Sequence, residues 1–194
     1  MILGVHSDAS YLSEPNARSR AGGHFFLSDG TDDAPPNGAI LNTSQIIKSV
    51  MSSAAEAELG ALYINAREAV PCRTFLNELG HTQPPTPIQT DNSTALGVVT
   101  NKILPRRLKA MDMPYWWLRD RNTQAQFRYY WRPGPTNKGD YFTKHHCAAH
   151  HQEKRAEYLT PLYILEALRA STNRRPATYG KGLMSTPQVA ASAA

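Results

Sequence analysis

The hydrophobic pattern changes its period at Ser53, and this change constrains the fold more than any other feature of the chain. Three strand-like segments come first, at residues 3–9, 22–27 and 39–50. The turns between them favour an antiparallel meander. From Ser53, apolar residues recur at helical spacing as far as Gly80, a suitable C-cap. Ser53 and Glu56 form a capping box, so we expect the helix to begin at Ser53.

The second half of the chain alternates between strand and helix patterns. Short strands are expected at residues 88–90 and 126–131, and helices at residues 92–99, 104–121, 138–146 and 161–170. The polar run at residues 13–19 is expected to be a loop. This order predicts an α/β domain with a mixed five-stranded sheet, its first three strands antiparallel, flanked by helices.

The predicted domain occupies residues 1–165. Residues 166–194 are expected to form a disordered tail, because the chain beyond Ser171 consists mostly of small and polar residues and proline.

Composition excludes several classes of protein. The chain has 194 residues, enough for one domain with a core, and no apolar run long enough to cross a bilayer. Its start lacks the basic and apolar regions of a secretory signal. The two cysteines, Cys72 and Cys147, form neither a metal-type pair nor a disulfide framework, which fits a reducing compartment. A formal charge of +5 permits an anionic partner without requiring one.

Four carboxylates lie where predicted elements begin or end: Asp8, Glu58, Asp91 and Asp140. A buried acidic cluster is costly unless it holds cations, and carboxylates are the ligands of hard divalent metals that hydrolyse phosphodiester bonds. Each acid also has an ordinary explanation. Asp8 fits a turn, Asp91 and Asp140 fit helix N-caps, and Glu58 fits the first turn of a helix.

Two glutamates compete for a place in this cluster. Glu56 is the third residue of the capping box, so its carboxylate should turn back to the backbone of Ser53. Glu58 shares a helix face with Leu62 and Ala66, the face that should pack on the sheet. Glu58 is therefore the candidate ligand, and Glu56 a structural residue.

Several segments together resemble the ribonuclease H domain of copia-type retrotransposon Pol polyproteins. They are residues 7–9, 19–27, 53–62, 91–96, 109–113 and 139–144, and they follow one another in the family's order between residues 3 and 160. The resemblance implies a ribonuclease H-like fold that hydrolyses the RNA strand of RNA–DNA hybrids. It also implies two Mg²⁺ ions, with Mn²⁺ as an alternative, held by the four acids.

The resemblance further implies a role for each acid. Asp8 would bridge both ions, Glu58 and Asp91 would hold one, and Asp140 the other, on either side of one RNA phosphate. Glu58 would also orient a 2′-hydroxyl, the group that distinguishes RNA from DNA.

Candidate nucleic-acid contacts surround this site. Asn92 and Ser93 are placed to donate to the RNA backbone or its 2′-hydroxyls. The densest basic stretch is expected to bind phosphates of the DNA strand, with a solvated helix face as the alternative: Lys102, Arg106, Arg107 and Lys109. Trp116 and Trp117 are expected to pack in the core rather than to stack on bases.

A histidine-rich stretch follows the last acid: His145, His146, His150 and His151. His146 and His150 are four residues apart, as zinc ligands on one helix face can be, but no second ligand pair has a zinc spacing. A family trait is therefore favoured over a zinc site. Many ribonucleases H carry a histidine before the last acid, whereas residues 133–139 contain none, so His145 or His146 is a candidate substitute.

The expected activity is that of a metal-dependent endoribonuclease from a retrotransposon, whose partner would be an upstream reverse transcriptase domain absent from this chain. The expected location is the cytoplasm, in the particle of the element, with the nucleus as an alternative. Two other functions fit the same residues. One is an inactive or co-opted fragment that only binds nucleic acid, and the other is a DNA nuclease or integrase of related fold.

Overall fold

The computed structural model describes residues 1–31, 35, 37–100 and 112–173. Five strands form one sheet in the order β3-β2-β1-β4-β5. Their bounds are β1 (Ile2–Glu14), β2 (Arg18–Ser28), β3 (Ala39–Ile47), β4 (Thr86–Thr90) and β5 (Phe127–Trp131). The first three strands pair antiparallel, while β4 joins β1 and β5 joins β4 in parallel. The predicted mixed five-stranded sheet is confirmed.

Five α-helices accompany the sheet in the described residues: α1 (Ala54–Glu78), α2 (Ser93–Val99), α3 (Asp112–Thr123), α4 (Ala148–Leu159) and α5 (Leu162–Asn173). Two short 3₁₀ helices, Gly134–Thr136 and Lys138–Phe142, precede α4. None of the helices in the described ranges combines the length and the apolar character that crossing a membrane requires.

The core lies between α1 and the sheet. Leu59, Leu62 and Ala66 of α1 are buried together with Val5 of β1 and Phe25 of β2. These helix positions repeat at three and four residues, so one face of α1 is apolar along most of its length. That face was predicted from the sequence. It brings the first turns of α1 over β1, where Glu58 can approach the strand.

One predicted loop is largely strand in the structure. The polar run at residues 13–19 is mostly strand, and only the turn at residues 15–17 interrupts the hairpin of β1 and β2. Asn16 and Ala17 turn the chain with positive φ angles of 59° and 53°. The polar sequence did not predict these strand residues, because this part of the hairpin is partly exposed to solvent and does not require apolar side chains.

The prediction of an α-helix at residues 138–146 is wrong. Lys138–Phe142 is a 3₁₀ helix, and α4 begins only at Ala148. The Asn137 side chain accepts a hydrogen bond from Gly139 N–H (3.0 Å), which closes a tight turn at the start of this segment. The segment lies against the middle of β1, as described below.

The expected boundary between residues 165 and 166 falls inside a helix, because α5 continues to Asn173. The amphipathic pattern of this helix was visible only as far as Ala170 in the sequence. Residues 174–194 lie outside the described residues. So does the first part of the helix predicted at residues 104–121, of which the structure describes the portion within α3.

Asn65 of α1 fastens this helix to three strands. Its Oδ1 accepts from the Thr43 hydroxyl (2.7 Å), and its Nδ2 donates to Ser7 Oγ and to Gly22 O (both 2.9 Å). Asn65 and Ser7 are fully buried, so a polar group that loses its hydrogen-bond partner here has no water to replace it. The network fixes the backbone directly before Asp8.

We therefore expect Asn65→Ala to lower the free energy of unfolding by about 2–4 kcal/mol, because it leaves several buried groups without partners. Thr43→Val is the comparison variant. It removes only one hydrogen-bond donor and should lower the free energy of unfolding by about 1 kcal/mol. Urea unfolding of the three proteins measures both values. Equal losses in the two variants would contradict a central role for Asn65.

Candidate metal centre

Asp8 and Asp91 meet because β1 and β4 are parallel neighbours. Val5 pairs with Ile88 and His6 with Gln89, so the same register carried two residues further brings Asp8 beside Asp91. β4 ends directly before Asp91, whereas β1 continues past Asp8 to Glu14, so the two acids meet at the edge where the parallel pairing of these strands ends. Asp8 is buried, with 4% of its surface exposed.

Glu58 reaches the same edge from the second turn of α1. Its Oε1 accepts a hydrogen bond from Ala9 N–H at 3.2 Å. Asp8, Glu58 and Asp91 each offer a carboxylate oxygen, and these three oxygens lie within 4.8 Å of one another. The structure thus brings together three of the four predicted ligands, including the glutamate chosen from the helix face.

The other glutamate has the structural role predicted for it, with one difference. Ser53 caps α1 by accepting from Glu56 N–H (3.2 Å), but the Glu56 carboxylate accepts from Ser52 N–H (2.8 Å) and not from Ser53. Its second contact therefore lies one residue further from the helix. Glu56 and Glu58 are equally buried, so burial alone does not separate them.

Asp91 does not cap α2, because its neighbour Asn92 has that role. Asn92 is the N-cap of α2 and accepts from Ala95 N–H at 2.9 Å. The capping role considered for Asp91 thus belongs to Asn92, and the acceptor oxygen of Asn92 is engaged there. Ser93 is the exposed first residue of α2.

The three carboxylates are electrostatically unfavourable without a cation. Burial, followed by repulsion from Asp8 and Asp91, raises the pKa of Glu58 to about 9. Burial also raises the pKa of Asp8 to about 7, although the hydrogen bond from Thr143 acts in the opposite direction. The pKa of Asp91 is raised mainly by burial, with a contribution from Asp140. These shifts have the sign expected for acids that need a positive charge among them.

One oxygen in the group has no partner. Glu58 Oε2 is buried, and no group of the described residues forms a hydrogen bond with it. A buried carboxylate oxygen without a partner is costly, whereas a divalent cation would supply one. Together with an all-oxygen donor set, this atom shows that the residues present fit a hard divalent metal ion.

Asp140, the fourth predicted ligand, lies close to the group but outside it. Its Oδ1 is 2.5 Å from Lys144 Nζ, in an ion pair between residues four positions apart. Its charge is near enough to raise the pKa values of Asp8 and Asp91. The ion pair directs the Asp140 carboxylate to Lys144 and leaves three acids as the metal-ligand group.

Thr143 contacts the first acid, and sequence reasoning missed it. Its hydroxyl donates to Asp8 Oδ2 at 2.6 Å and lies 3.0 Å from Asp140 O. Thr143 is buried, and its methyl group packs on Gly22, the partner of Asp8 across the hairpin. A Cβ at Gly22 would lie 2.5 Å from Gly139 O, so only glycine lets the 3₁₀ helix reach Asp8. The one sequence signal that could have identified Thr143 as part of the site is its position three residues after Asp140.

Asn137 and His6 hold the 3₁₀ helix in place. Asn137 Nδ2 donates to Ser7 O (2.8 Å), and Lys138 N–H donates to His6 Nδ1 (3.1 Å). Burial, with the charges of His24 and Lys138, lowers the pKa of His6 to about 3, so the neutral ring can accept this bond. These contacts join segments about 130 residues apart, which no local pattern could reveal.

The histidine-rich stretch forms a ring stack beside the 3₁₀ helix. Tyr141 stacks on Tyr158 (4.4 Å between centroids) and on His146 (4.8 Å), and His146 stacks on His150 (4.4 Å). Within residues 1–31, 35, 37–100 and 112–173, the three carboxylates are the one group of three potential ligands placed for a metal. The zinc alternative therefore finds no support in the described residues.

Other predicted contacts have mixed outcomes. The basic stretch lies outside the described residues: Lys102, Arg106, Arg107 and Lys109. Of the two tryptophans predicted to pack in the core, Trp117 is partly buried against it, as predicted. Trp116 is 60% exposed, and for this residue the prediction is wrong, because it lies on the outer side of α3.

Comparisons with known proteins give one sequence relative and several structures of similar fold. No protein-family model matches the chain. Over 119 residues, 61% of the chain, it is 29% identical to the retrovirus-related Pol polyprotein from transposon TNT 1-94 of Nicotiana tabacum. The match spans 8% of the length of that polyprotein.

Solved structures resemble the fold. The N-terminal ribonuclease H domain of rv2228c from Mycobacterium tuberculosis has a TM-score of 0.51 at 16% identity, over 73% of this chain and 90% of that one. LC11-RNase H1, isolated from compost, has a TM-score of 0.52 at 10% identity, over 72% and 91% of the two chains. The same protein in complex with an RNA/DNA hybrid has a TM-score of 0.52 at 10% identity, over 72% and 92%.

The sheet order and these neighbours define a ribonuclease H-like domain. The sequence match gives the more particular relationship, because the relative is a retrovirus-related Pol polyprotein from a transposon. The predicted resemblance to the ribonuclease H domain of a retrotransposon Pol polyprotein is thereby confirmed.

The raised pKa values predict how stability depends on pH. Because the folded protein binds protons at Asp8 and Glu58 more tightly than the unfolded chain, the contribution of these acids to stability is fully present below about pH 4. It is lost as the pH rises through about 7 for Asp8 and about 9 for Glu58. Without divalent cations, we expect melting to be lower at pH 9 than at pH 5.

Thermal unfolding in EDTA, compared with Glu58→Gln, isolates this effect. The variant should melt on the order of several °C higher than the wild type at pH 9, and the difference should shrink at pH 5. Added Mg²⁺ should stabilise the wild type more at pH 8 than at pH 5. A difference between the two proteins that does not change with pH would contradict the predicted repulsion.

Thr143→Val should weaken divalent-metal binding by about tenfold, because the hydroxyl that orients Asp8 is lost while the shape of the side chain is kept. Thr143→Ser retains the hydroxyl and should bind metal nearly as the wild type does. Mn²⁺ binding measured by electron paramagnetic resonance tests both variants without any substrate. Equal affinity in Thr143→Val and the wild type would show that the hydroxyl has no such role.

Proposed function

We propose that this chain is a metal-dependent endoribonuclease that hydrolyses the RNA strand of RNA–DNA hybrids. The observation that carries the proposal is the group of three carboxylates, two buried and one half-buried, with raised pKa values and one unpartnered oxygen, in a ribonuclease H-like fold. The choice of substrate is supported by the retrotransposon relative and by the neighbour whose structure contains an RNA/DNA hybrid.

Asp8, Glu58 and Asp91 would hold the metal, which we propose to be Mg²⁺, with Mn²⁺ as an alternative, because all their donors are carboxylate oxygens. When bound, such an ion lowers the pKa of water and stabilises negative charge on a phosphate. Asp140 would complete the site for a second ion. Since its carboxylate is paired with Lys144, that role requires the ion pair to open.

The remaining residues would position this machinery. The Thr143 hydroxyl orients the Asp8 carboxylate, and the backbone N–H of Ala9 holds one oxygen of Glu58. Asn137 and His6 keep the segment of Asp140 against the middle of β1. Asn92 and Ser93 lie directly after Asp91, where donors to the RNA backbone or its 2′-hydroxyls would be useful.

The biological setting we propose is removal of template RNA after reverse transcription by a copia-type element, in its cytoplasmic particle. An upstream reverse transcriptase domain would then hold most of the hybrid. We propose that residues 1–165 contain the catalytic domain, with α5 extending beyond it. The basic stretch between α2 and α3 would add phosphate contacts.

A nucleic-acid-binding protein without activity is the second candidate. The observation that favours it is the ion pair of Asp140 with Lys144, because it withdraws one of the four acids from the metal-ligand group. A DNA nuclease or integrase of related fold is the third, because such enzymes use similar acid sets.

Cleavage of a labelled RNA–DNA hybrid tests the three candidates. We expect the wild type to cut the RNA strand with Mg²⁺, and Glu58→Gln to lose at least about a hundredfold in rate, because it removes a metal ligand. Glu56→Gln is a matched control, since it changes the same residue type in the same helix, equally buried, and keeps an acceptor for Ser52 N–H. It should retain activity.

Each rival has its own outcome in the same assay. An intact hybrid with the wild type, despite binding, would favour the protein without activity. Cleavage of a DNA duplex but not of the hybrid would favour the DNA nuclease. Equal activity of Glu58→Gln and Glu56→Gln would refute the assignment of the metal ligands.

A further inference from the structure

Trp131 is fixed beside the metal-ligand group. It is the last residue of β5 and pairs with Thr90 of β4, the residue directly before Asp91. Its indole Nε1–H donates to the backbone oxygen of Asp91 at 2.8 Å. The ring is therefore held to the backbone of one of the three acids, and its orientation is set by a directional bond.

The ring continues an apolar row beyond the edge of the core. Phe127, Tyr129 and Trp131 alternate along β5 and share one face of the strand. Phe127 and Tyr129 are 1% and 6% exposed, whereas Trp131 is 43% exposed. The core cluster includes the first two residues and not the third. A large apolar ring thus faces solvent at the carboxyl edge of the sheet, next to Asp91.

The other exposed tryptophan shows a different arrangement. Trp116 of α3 packs against the ring of Tyr115 (5.1 Å) and lies under the Arg119 guanidinium (5.1 Å). These contacts explain Trp116 within its own helix. The described contacts of Trp131 include the bond to Asp91 and no comparable ring or cation packing among the described residues.

We propose that Trp131 contacts the substrate by packing its exposed face on the ribose of the RNA nucleotide next to the cleaved phosphate. The inference rests on the proposed function, because that function places an RNA phosphate at Asp91. The bases of a hybrid remain paired and do not offer their faces, whereas the wide minor groove exposes the sugars. A net charge of +5 is compatible with such a polyanion.

Hybrid binding to the Glu58→Gln protein tests the proposal without cleavage. Adding Trp131→Ala should weaken binding roughly three- to tenfold, the effect expected for one aromatic contact. Adding Trp131→Phe should leave binding nearly unchanged, since an aromatic face remains. Adding Trp116→Ala, the matched control on α3, should have no effect. Hybrid binding should also shift the tryptophan fluorescence, and Trp131→Phe should abolish the shift.

An abasic ribonucleotide at the neighbouring position separates sugar from base. Trp131→Ala should carry the same penalty on this hybrid, because the sugar is still present. Loss of the penalty would overturn the assignment to the ribose and indicate a stacked base instead.

Two other results would overturn the proposal while leaving the proposed function intact. The first is unchanged hybrid binding in Trp131→Ala. The second is an equal loss in Trp131→Phe and Trp131→Ala, which would mean that the bond to Asp91 matters and the ring face does not. If the wild type neither cleaves the hybrid nor binds it, the proposed function fails and this inference fails with it.

Discussion

The withdrawal of three neighbouring carboxylates from water is the constraint around which this domain is arranged. Asp8, Glu58 and Asp91 come from a strand, a helix and the end of a second strand, and their oxygens lie within 4.8 Å of one another. Burial raises all three pKa values and repulsion between acids adds to it, so this corner of the fold increasingly opposes folding as the pH rises through about 7 and about 9, unless cations occupy it. The rest of the structure must hold the acids together against that force.

The surrounding contacts supply this restraint through rigid elements. Asn65 fastens α1 to β1, β2 and β3 with three hydrogen bonds, within two turns of Glu58 on the same helix. Asn137 and His6 fasten the 3₁₀ helix to the middle of β1, and Thr143 adds a bond to Asp8 itself. Each of these polar groups is buried and paired, so the network is also specific in geometry.

Much of the fold and part of the site could be predicted because their signals are local. The helical face of α1 and the capping box at Ser53 are enough to separate Glu58 from Glu56, since both patterns lie within a few residues of each acid. The parallel pairing of β1 with β4 then brings Asp8 beside Asp91, because Val5 lies opposite Ile88. The resemblance to a known family contributed the order of the acids, and composition alone could not have supplied it.

The parts that could not be predicted depend on contacts between distant segments. An α-helix was expected where the chain forms the 3₁₀ helix at Lys138–Phe142, because Asn137 and Gly139 set a tight turn that helical spacing does not encode. In the sequence, Thr143 and Asn137 are ordinary polar residues. Their hydrogen-bond partners, Asp8 and Ser7, lie about 130 residues earlier in the chain.

The ion pair of Asp140 with Lys144 affects both the repulsion among the acids and the metal binding proposed for them. A lysine ammonium beside the acids relieves part of their repulsion, and its charge acts on Asp8 and Asp91 as well as on Asp140. The same ion pair keeps Asp140 away from the three-acid group. Under the proposed function, Lys144 would leave Asp140 when a second metal ion binds there. Lys144 is more than half exposed, so it can leave Asp140 without disturbing the core.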